Sequence, residues 1–503
     1  MKKILINKEP WQTRIAITED GKLQNIYFWA HAGNPLERCF LKGKITKVLP
    51  GIQTAFVDIG EEKSGFLHIS EIDRELAINR MSGSFDSGDS TSKKDVPRRQ
   101  APDISKILKE REDILVQVTK EPVNEKGAKL TTCYTLPGRF IVLMPNIPRI
   151  GTSKKIEIAE ERARLKAIVL KNLPEGMGAI IRTCSEDRKE HEIVQDVTFL
   201  IETWNEIQKT LAKVKSPARI YQDINLPFQI IRDHLDDDVE VVIVDDVEQQ
   251  KELAEYVKRI APEHSTKIKV YESKVPLFDT YKLEEQIMGS LDHKVDLKSG
   301  GSIVIEATEA MTVVDVNTGR FTGKSNLEET ILKTNLEAAQ EVVRQLKVRN
   351  IGGLIVIDFI DMATSTNRQK LFSFFEKTLK EKDKFQSVVL RISEFGLVQM
   401  TRKRSGKTLS QQLTDQCQAC AGKGVTTSVQ AQCYIVLQNI KRELESGKAT
   451  ASITLKLNPQ VFEYISNNEY DTIFDFEKTH NCKIVLESEK NLIIPSFRIE
   501  KAA

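Results

Sequence analysis

The sequence predicts a multidomain protein of mixed α/β and α+β class, and three observations support this prediction. The chain has 503 residues, enough for about three to five domains of ordinary size. Apolar residues make up 40% and charged residues 29%, which suits several packed cores and excludes global disorder. Short apolar runs typical of strands also alternate along the chain with longer segments of helical periodicity.

The overall charge excludes a protein that coats nucleic acid through a bulk positive field. Subtracting 72 acidic from 74 basic side chains leaves +2, so any polyanion site must be local. No apolar run approaches the roughly 18 residues of a membrane span, and charges interrupt the N-terminal apolar stretch too early for a signal peptide. Seven scattered cysteines are typical of a reducing compartment. We therefore expect a cytoplasmic protein with no membrane span.

The first patterned region begins at Gly43 and reads as strand, turn and strand over GKITKVLPGIQTAFVDIGEEKSGFLHISEI. Alternation places Phe56 on one face of its strand and Val57 and Ile59 on the other face. In the next strand it places Phe66 and His68 on one face and the leucine between them on the other. Aromatic rings beside histidine and lysines suit stacking of unpaired bases, each worth roughly 1 to 3 kcal/mol. The alternative is a register slipped by one residue, which would put both rings in the core.

The remaining elements follow in chain order. A serine-rich stretch over 82–102 predicts a mobile loop inserted in the β region. Helical periodicity predicts helices over about 157–171 and 326–347, and apolar runs predict buried strands over 311–317 and 353–359. A turn rich in cysteine and glycine, 411–424, indicates a domain boundary.

Two of these strands carry carboxylates. Asp315 and Asn317 lie opposite the valines of their strand, and Asp358 ends an apolar run typical of a strand covered on both faces. Such oxygen ligands suit Mg²⁺, which uses one or two carboxylates with water and substrate phosphate and can activate a water for attack at phosphorus. Asp361 faces away from Asp358 by alternation and ranks below it. The alternative is that the aspartates are buried acceptors with a structural role.

Cys417 and Cys420 have the Cys-x-x-Cys spacing of half a tetrahedral zinc site. Cys433 and Cys482 are single and lie in regular segments, so a second copy of the chain would have to supply the other ligands. A redox pair and an unligated turn are the alternatives.

Two basic elements offer phosphate contacts. Arg182 and Thr183 end an apolar strand and provide a guanidinium and a hydroxyl, although a surface salt bridge would also explain the arginine. The basic run 402–404 could follow backbone phosphates or be a solvated basic face.

The VDIG and GFLH elements resemble the OB-fold RNA-binding domain named after a small-subunit ribosomal protein. This resemblance implies RNA contacts from Phe56, Phe66 and His68. It also implies a basic contact from Lys126, in the later segment NEKGAKLTT.

Nearly the whole chain resembles the ribonuclease E/G family. The resemblance rests on elements in one order: EAMTVVDVNTG, TNLEAAQEVVRQL, GGLIVIDFIDM, FGLVQMTRKR and Cys-x-x-Cys-x-Gly-x-Gly. The wording of TLPGRF, VDVNTG and GLVQMTRKR favours its ribonuclease G branch. The resemblance implies a Mg²⁺-dependent endonuclease of single-stranded RNA that leaves 5′-phosphate and 3′-hydroxyl ends, in rRNA and tRNA processing and mRNA decay. In it Asp315 and Asp358 would hold the metal and Asn317 would orient groups at the scissile phosphate.

The same resemblance implies a pocket for the 5′-monophosphate of the RNA, formed by Gly138, Val142, Arg182 and Thr183. Gln386 stands where the family has a basic residue, with Lys384 as the nearest replacement. Zn²⁺ shared between Cys417 and Cys420 of two chains is also implied, hence a homodimer or tetramer. Gln418 replaces the proline that usually follows the first of these cysteines.

The implied architecture is an RNase H-like part split by inserted domains, followed by a DNase I-like catalytic part, a zinc-link and a small C-terminal domain. The predicted boundaries are 1–35 and 228–290 for the two RNase H-like pieces, 36–131 for the OB-fold domain with its insertion at 82–102, 132–227 for the 5′-sensor, 291–412 for the catalytic part, 413–427 for the zinc-link and 428–503 for the C-terminal domain. A non-catalytic RNA-binding assembly protein and a metal-dependent exonuclease are the alternative functions.

Overall fold

The computed structural model describes residues 1–31, 36–73, 103–122, 127–318, 327–393, 396–446, 452–492, 494 and 496–501. The insertion predicted over 82–102 and the predicted RNA contact Lys126 lie outside these residues. The chain divides into two compact units, Met1–Ser405 and Gly406–Ala503. Gly406, with φ +70°, marks a break a few residues before the predicted boundary region 411–424.

The described strands of the first unit form four sheets. Its strands are β1 Lys2–Lys8, β2 Gln12–Glu19, β3 Lys22–Ala30, β4 Phe40–Leu49, β5 Thr54–Asp58, β6 Gly65–His68, β7 Asp113–Lys120, β8 Lys129–Thr131, β9 Leu136–Pro137, β10 Ile141–Met144, β11 Ile150–Thr152, β12 Gly178–Ile181, β13 Ala218–Tyr221, β14 Val239–Val244, β15 Ile268–Val270, β16 Lys294–Asp296, β17 Ser302–Ala307, β18 Met311–Asn317, β19 Gly353–Asp358, β20 Ser387–Val389 and β21 Leu397–Arg402. Its α-helices are α1 Ile104–Ile107, α2 Ala159–Asn172, α3 Glu190–Lys213, α4 Leu226–His234, α5 Val247–Ile260, α6 Leu277–Thr280, α7 Leu283–Gly289, α8 Leu327–Val348 and α9 Ser365–Lys382. Short 3₁₀ helices cover Pro50–Ile52, Ile69–Glu71, Thr183–Ser185 and Pro262–Lys267.

The second unit has four described helices, and the last three of them pack against a small sheet. Its elements are α10 Leu409–Leu413, α11 Val429–Glu445, β22 Ser452–Leu457, α12 Pro459–Asn468, α13 Tyr470–His480, β23 Lys483–Ser488 and β24 Arg498–Lys501. The strand order is β23-β22-β24. Cys433 and Cys482 are both buried in its core, and burial raises the pKa of the Cys433 thiol to about 11.

One sheet of the first unit combines strands from widely separated parts of the chain. Its order is β15-β14-β1-β2-β3, and β1 runs parallel to β14. The central strand β1 buries Ile4, Leu5 and Ile6 completely, as a continuous apolar run on a strand covered on both faces should. The two predicted RNase H-like pieces therefore share one sheet, while that fold name remains a prediction.

The next sheet closes into a barrel. β4 pairs with both β5 and β7 in the order β13-β4-β5-β6-β8-β7, and closure leaves no free edge between those two strands. β13, from the segment predicted to belong to the 5′-sensor, extends this sheet by pairing with β4. A separate four-stranded sheet, β11-β12-β10-β9, packs with α2 and α3.

The sheet that carries the predicted catalytic residues has the order β16-β17-β18-β19-β21-β20. Helices α8 and α9 cover one face, where Val314, Ile355 and Ile357 are fully buried. The opposite face is open among the described residues, and Leu354 is 41% exposed on it. The prediction of a strand covered on both faces is therefore wrong for β19, because its apolar run includes partly solvated positions.

The sequence-predicted elements in this region are confirmed. Helices α2 and α8 lie where periodicity predicts them, over 157–171 and 326–347, and strands β18 and β19 match 311–317 and 353–359 to within a residue. The mixed α/β and α+β class is confirmed as well. No helix in the described part of the chain is both long and apolar enough to cross a membrane.

Candidate active site and RNA-binding surfaces

Asp315 and Asp358 are direct partners on neighbouring parallel strands. In the β18–β19 register, Asp315 lies opposite Asp358. Their strand neighbours Val314 and Ile357 point into the core, so alternation turns both carboxylates to the open face. Both aspartates are exposed. The sequence reasoning thus selected two acids that the fold does bring together.

The electrostatics of this pair favour a bound cation. Partial desolvation against the sheet raises the pKa of Asp358, and the negative charges of Asp315 and Asp361 raise it further. Like charges held side by side are stabilised when a cation lies between them. The amide of Asn317 donates from Nδ2 to Oδ2 of Asp315 at 2.7 Å, which fixes that carboxylate. The charge of Asp361 thus affects the pKa of Asp358, although alternation predicts that the Asp361 side chain faces away from Asp358.

Among the residues that the structure describes, no third protein ligand of the usual kind joins the carboxylate pair. Among the described residues, no cluster of three or more His, Cys, Asp or Glu side chains is arranged to hold a metal. Zinc in a structural site would require four such ligands, whereas Mg²⁺ commonly binds through one or two carboxylates and keeps several waters. The donor set at Asp315 and Asp358 therefore fits magnesium better than zinc.

A row of basic and aromatic side chains crosses the barrel sheet. In register, Lys47 lies opposite Phe56, Phe56 opposite Phe66, and Phe66 opposite Lys129. Both rings are half-buried, whereas Val57 and Leu67, which alternate with them, are fully buried in the barrel core. The predicted faces are confirmed, and the alternative that puts both rings in the core is wrong. Rings flanked by lysines suit stacked bases and nearby phosphates.

His68 lies next to this row, opposite Thr54. Its Nδ1 accepts the backbone N–H of Ser70 at 3.2 Å. An acceptor at Nδ1 leaves the proton of the neutral imidazole on Nε2. The ring can therefore offer an N–H donor to a ligand at the barrel surface.

The four residues predicted to bind a 5′-phosphate lie around one edge of the β10–β12 sheet. Arg182 donates from Nη1 to the Gly138 carbonyl at 2.6 Å, and Val142 lies opposite Ile180 in β12. The exposed Thr183 shares a 2.8 Å hydrogen bond with the hydroxyl of Ser153. The fold thus brings all four close together and adds Ser153, which sequence reasoning missed.

Arg182 also makes the salt bridge that was the alternative explanation. Its Nη1 donates to Oδ1 of Asp233 at 2.7 Å. Although burial alone would raise it, the charges of Arg232 and Arg182 lower the pKa of Asp233 to about 2. Lys384 also donates to the backbone carbonyl of Asp233. Lys384, the nearest basic residue to the position where Gln386 departs from the family, therefore does reach this edge.

Gly138 is required here by a buried carboxylate. Asp196 accepts the backbone N–H groups of Arg139, Phe140 and Ile141 at 2.8 to 3.0 Å. A Cβ on Gly138 would lie 2.5 Å from Oδ2 of Asp196. Any side chain at this position would therefore clash with the carboxylate, and glycine avoids the clash because it has no Cβ. Burial raises the pKa of Asp196, and the three N–H groups oppose that effect. Asp196 therefore shapes the turn that presents the Gly138 carbonyl to Arg182.

Cys417 and Cys420 lie together in a tight turn of the second unit. Ala421 and Lys423 donate backbone N–H groups to the carbonyls of Cys417 and Cys420. The backbone N–H groups of Gly424 and Gly422 lower the pKa of the Cys420 thiol. Such N–H groups stabilise a thiolate, the form that binds metal. The turn fits half a zinc site.

The basic run 402–404 is not a uniform phosphate-binding surface. Arg402 is 3% exposed and donates from Nε to Asp383 at 2.7 Å and from Nη1 to the carbonyl of Ile351 at 2.6 Å. Both interpretations drawn from the sequence are therefore wrong for Arg402. Lys403 and Arg404 are exposed. The missed signal was alternation, since Val398, Met400 and Arg402 share the core-facing side of β21.

Comparison with known proteins agrees with this organisation. The model of the ribonuclease E/G family matches residues 135–405, and ribonuclease G of Haemophilus influenzae is 38% identical over 467 residues, covering 93% of this chain and 92% of its own length. The chain belongs to the ribonuclease E/G family. It is therefore an enzyme, an endoribonuclease that acts on RNA, and the alternatives of a non-catalytic assembly protein and an exonuclease are set aside.

Further relatives and two domain matches support the assignment to the ribonuclease E/G family. Ribonuclease G of Escherichia coli is 35% identical over 477 residues, covering 94% of each chain. Ribonuclease E of Haemophilus influenzae is 34% identical over 504 residues, covering 99% of this chain and 52% of its own length. The barrel matches the S1 RNA binding domain over residues 40–132, and residues 416–502 match the RNase E/G thioredoxin-like domain. The predicted OB-fold RNA-binding domain is confirmed.

Proposed function

We propose that this endoribonuclease depends on Mg²⁺ and hydrolyses single-stranded RNA by attack of water at phosphorus. The products would carry 5′-phosphate and 3′-hydroxyl ends. The observation that carries the proposal is the register pairing of Asp315 with Asp358 on the open face of the sheet. By resemblance to its relatives, the enzyme would act in rRNA and tRNA processing and mRNA decay in the cytoplasm.

Each polar group at this site has a role that follows from its position. Asp315 and Asp358 would hold Mg²⁺, because their paired negative charges favour a cation. When bound, the ion would lower the pKa of a coordinated water and offset negative charge that develops on the phosphate. Asn317 holds the Asp315 carboxylate through its amide, and its carbonyl oxygen is left as an acceptor. That oxygen can orient a group at the scissile phosphate.

The S1 barrel would hold the single strand by its bases. Phe56 and Phe66 lie opposite each other in register, so two adjacent rings can stack with neighbouring bases. Lys47 and Lys129 end the same row. Lys47 would supply positive charge to the phosphates, whereas Lys129 is paired with Glu71. His68 would add an N–H donor, and Lys126 is proposed as a further basic contact.

The edge around Arg182 would recognise a 5′-monophosphate. Nη1 of Arg182 is held by Gly138 and Asp233, which leaves its other N–H donors to contact phosphate oxygens. Thr183 and Ser153 offer hydroxyls beside it, and the backbone around Val142 forms the adjoining strand. The carboxylate of Asp233 weakens the net positive charge, so a modest preference between 5′ ends is expected.

Zinc shared between two chains would join a dimer. Cys417 and Cys420 would provide two thiolates from each chain, and four sulfur ligands make a closed structural site. The backbone N–H groups of Gly422 and Gly424 at the Cys420 sulfur favour its thiolate, the form that binds metal. A homodimer, or a tetramer built from two such dimers, follows from this arrangement.

A cleavage assay on internally labelled RNA tests the proposed chemistry. Purified protein should produce discrete internal fragments with Mg²⁺ and none with a chelator. The new ends should accept ligation as 5′-phosphates and resist treatments specific for cyclic phosphates. Cleavage that persists in chelator, or fragments that end in 2′,3′-cyclic phosphate, would overturn the metal-assisted hydrolysis.

A further inference from the structure

A polar cavity lies near Leu397, the register partner of Asp358, and has no role in the proposed chemistry. It occupies about 360 Å³ between the first turns of α9 and the segment that leads into β21. The side chains that give it its character are two arginines, two serines and two apolar residues: Ser365, Arg368, Phe372, Arg391, Ile392 and Ser393.

The charge of this cavity distinguishes it from the larger groove of the first unit. The groove of about 550 Å³ beside α8 mixes acidic and basic side chains, including Glu337 and Lys347. Among the residues that the structure describes, the smaller cavity is lined by Arg368 and Arg391 and by no acid. Within the described ranges neither guanidinium forms an ion pair, whereas Arg402 on the neighbouring strand is fully paired with Asp383. Two guanidiniums of this kind suit an anion, because each can donate to two phosphate oxygens.

Backbone contacts connect the cavity to the aspartate pair. Asp358 lies opposite Leu397 in the β19–β21 register. Ser393 donates its backbone N–H to the Leu397 carbonyl at 2.9 Å and accepts the Leu397 N–H on its side-chain oxygen at 3.2 Å. The hydroxyl proton of Ser393 is thus left for another acceptor. One wall of the cavity is therefore fixed to the strand partner of Asp358.

The helix start alone does not account for this cavity as an anion site. The N–H groups of Ala363 and Thr364 are taken by Glu328, at 3.3 and 3.2 Å, and the Thr364 hydroxyl accepts the N–H of Asn367. The two guanidiniums and the serine hydroxyls are the side-chain groups of this cavity that can bind an anion. Phe372 and Ile392 add an apolar wall against which a sugar or base can pack.

We infer that this cavity is a subsite for the RNA strand, in which Arg368 and Arg391 hold a backbone phosphate that flanks the scissile one. The inference rests on the proposed function, since it takes Asp315 and Asp358 as the place of cleavage. Its occupant is the RNA on which the enzyme acts, and the subsite positions that RNA beside Leu397, the register partner of Asp358. Arg368 and Arg391 are positioning residues and take no part in bond breaking.

Binding measured without cleavage tests the subsite directly. In a protein carrying Asp358→Asn, a 5′-hydroxyl single-stranded RNA is titrated at several salt concentrations, with and without Arg368→Ala and Arg391→Ala. Each substitution should weaken binding on the order of tenfold and reduce the slope of log affinity against log salt by about 0.7 per lost phosphate contact. Lys370→Ala is the matched control, because Lys370 is an exposed cation on the same helix outside the cavity.

Single neutral linkages locate the phosphate. A methylphosphonate placed at one linkage beside the cleavage site should weaken binding to the protein that has both arginines. It should change the affinity of the double variant, with Arg368→Ala and Arg391→Ala, very little. Arginine variants that bind like Lys370→Ala, or a neutral linkage that costs both proteins equally, would overturn the subsite. Absence of Mg²⁺-dependent cleavage by the unmodified enzyme would instead overturn the proposed function, and the binding comparison would still decide the subsite.

Discussion

Arg182 and Asp233, 51 positions apart in the chain, meet at 2.7 Å. The guanidinium proposed to recognise the RNA end is thus already oriented by a carboxylate and by the Gly138 carbonyl. Preorganisation of this kind reduces the entropy that binding must overcome. It also sets a neighbouring negative charge that an incoming phosphate must tolerate.

The first prediction concerns this arginine. Arg182→Ala should remove most of the preference for 5′-monophosphorylated RNA over 5′-hydroxyl RNA, and should leave cleavage of the hydroxyl substrate nearly unchanged. The measurement is the ratio of kcat/KM for the two substrates. Arg188→Ala is the control, because Arg188 pairs with Asp236 and Asp237 beside the same edge. If Arg188→Ala lost the preference to the same extent, the effect of Arg182→Ala would be assigned to a general disturbance of packing at this edge and not to phosphate recognition.

The second prediction concerns the aspartate pair. Asp315→Asn and Asp358→Asn should each lower the cleavage rate by roughly a hundredfold or more, because a lost metal ligand removes several kcal/mol of transition-state stabilisation. RNA affinity should change little. Asp296→Asn, at an exposed aspartate of the same sheet, should cleave normally. Near-normal turnover of both site variants at ordinary Mg²⁺ would refute the assignment.

The third prediction concerns the cysteine turn. Cys417→Ser or Cys420→Ser should release zinc and convert dimers to monomers, as measured by metal content and light scattering. Cys133→Ala, at a half-buried cysteine of the other unit, should keep both the metal and the dimer. One zinc per chain in an intact monomer would contradict sharing, since four local ligands would then be needed.

The fourth prediction concerns the aromatic row. Phe56→Ala and Phe66→Ala should each weaken single-stranded RNA binding by roughly 1 to 3 kcal/mol, the value of one stacked base. Thermal stability should change little, because both rings lie outside the barrel core. Ile52→Ala is a suitable control, since Ile52 is an apolar side chain of the same domain and is 60% exposed. A large fall in melting temperature without a change in affinity would show that the rings are structural.

The fifth prediction concerns the buried ion pair of Arg402 and Asp383. Arg402→Ala should lower the free energy of unfolding by about 3 to 5 kcal/mol, because it leaves Asp383 charged and buried without its partner. The salt dependence of RNA binding should be unchanged at temperatures where the variant is folded. Lys403→Ala, at the exposed neighbour, should leave stability unchanged. A reduced salt slope with normal stability in Arg402→Ala would restore the phosphate-binding interpretation.

Local periodicity predicted many of the helices and strands of this fold. It also predicted the site residues that lie on regular strands, but not the residues that long-range packing brings to them. Alternation placed Asp315, Phe56 and Phe66 on the correct faces because each lies in a strand whose neighbours are strongly apolar. It could not supply Asp233 or Asp196, since those carboxylates reach Arg182 and the Gly138 turn only through long-range packing. Alternation could not place Asp361, because β19 ends at Asp358 and the alternation of side chains does not continue beyond the end of a strand.

The parallel pairing of β1 with β14 has a consequence for the order in which this protein folds during synthesis. Asn7 and Asp245 form a hydrogen bond although they are 238 positions apart. A ribosome releases the first strands long before their parallel partner exists, while the S1 barrel and the sheet around Arg182 can form from the intervening chain. We expect those inserted domains to fold first on the ribosome. The three amino-terminal antiparallel strands β1 to β3 would then keep the β1 edge unpaired until β14 emerges, and exposed edges of that kind invite association with other chains. Translation through the stretch before residue 239 is thus the period in which this enzyme most needs protection from aggregation.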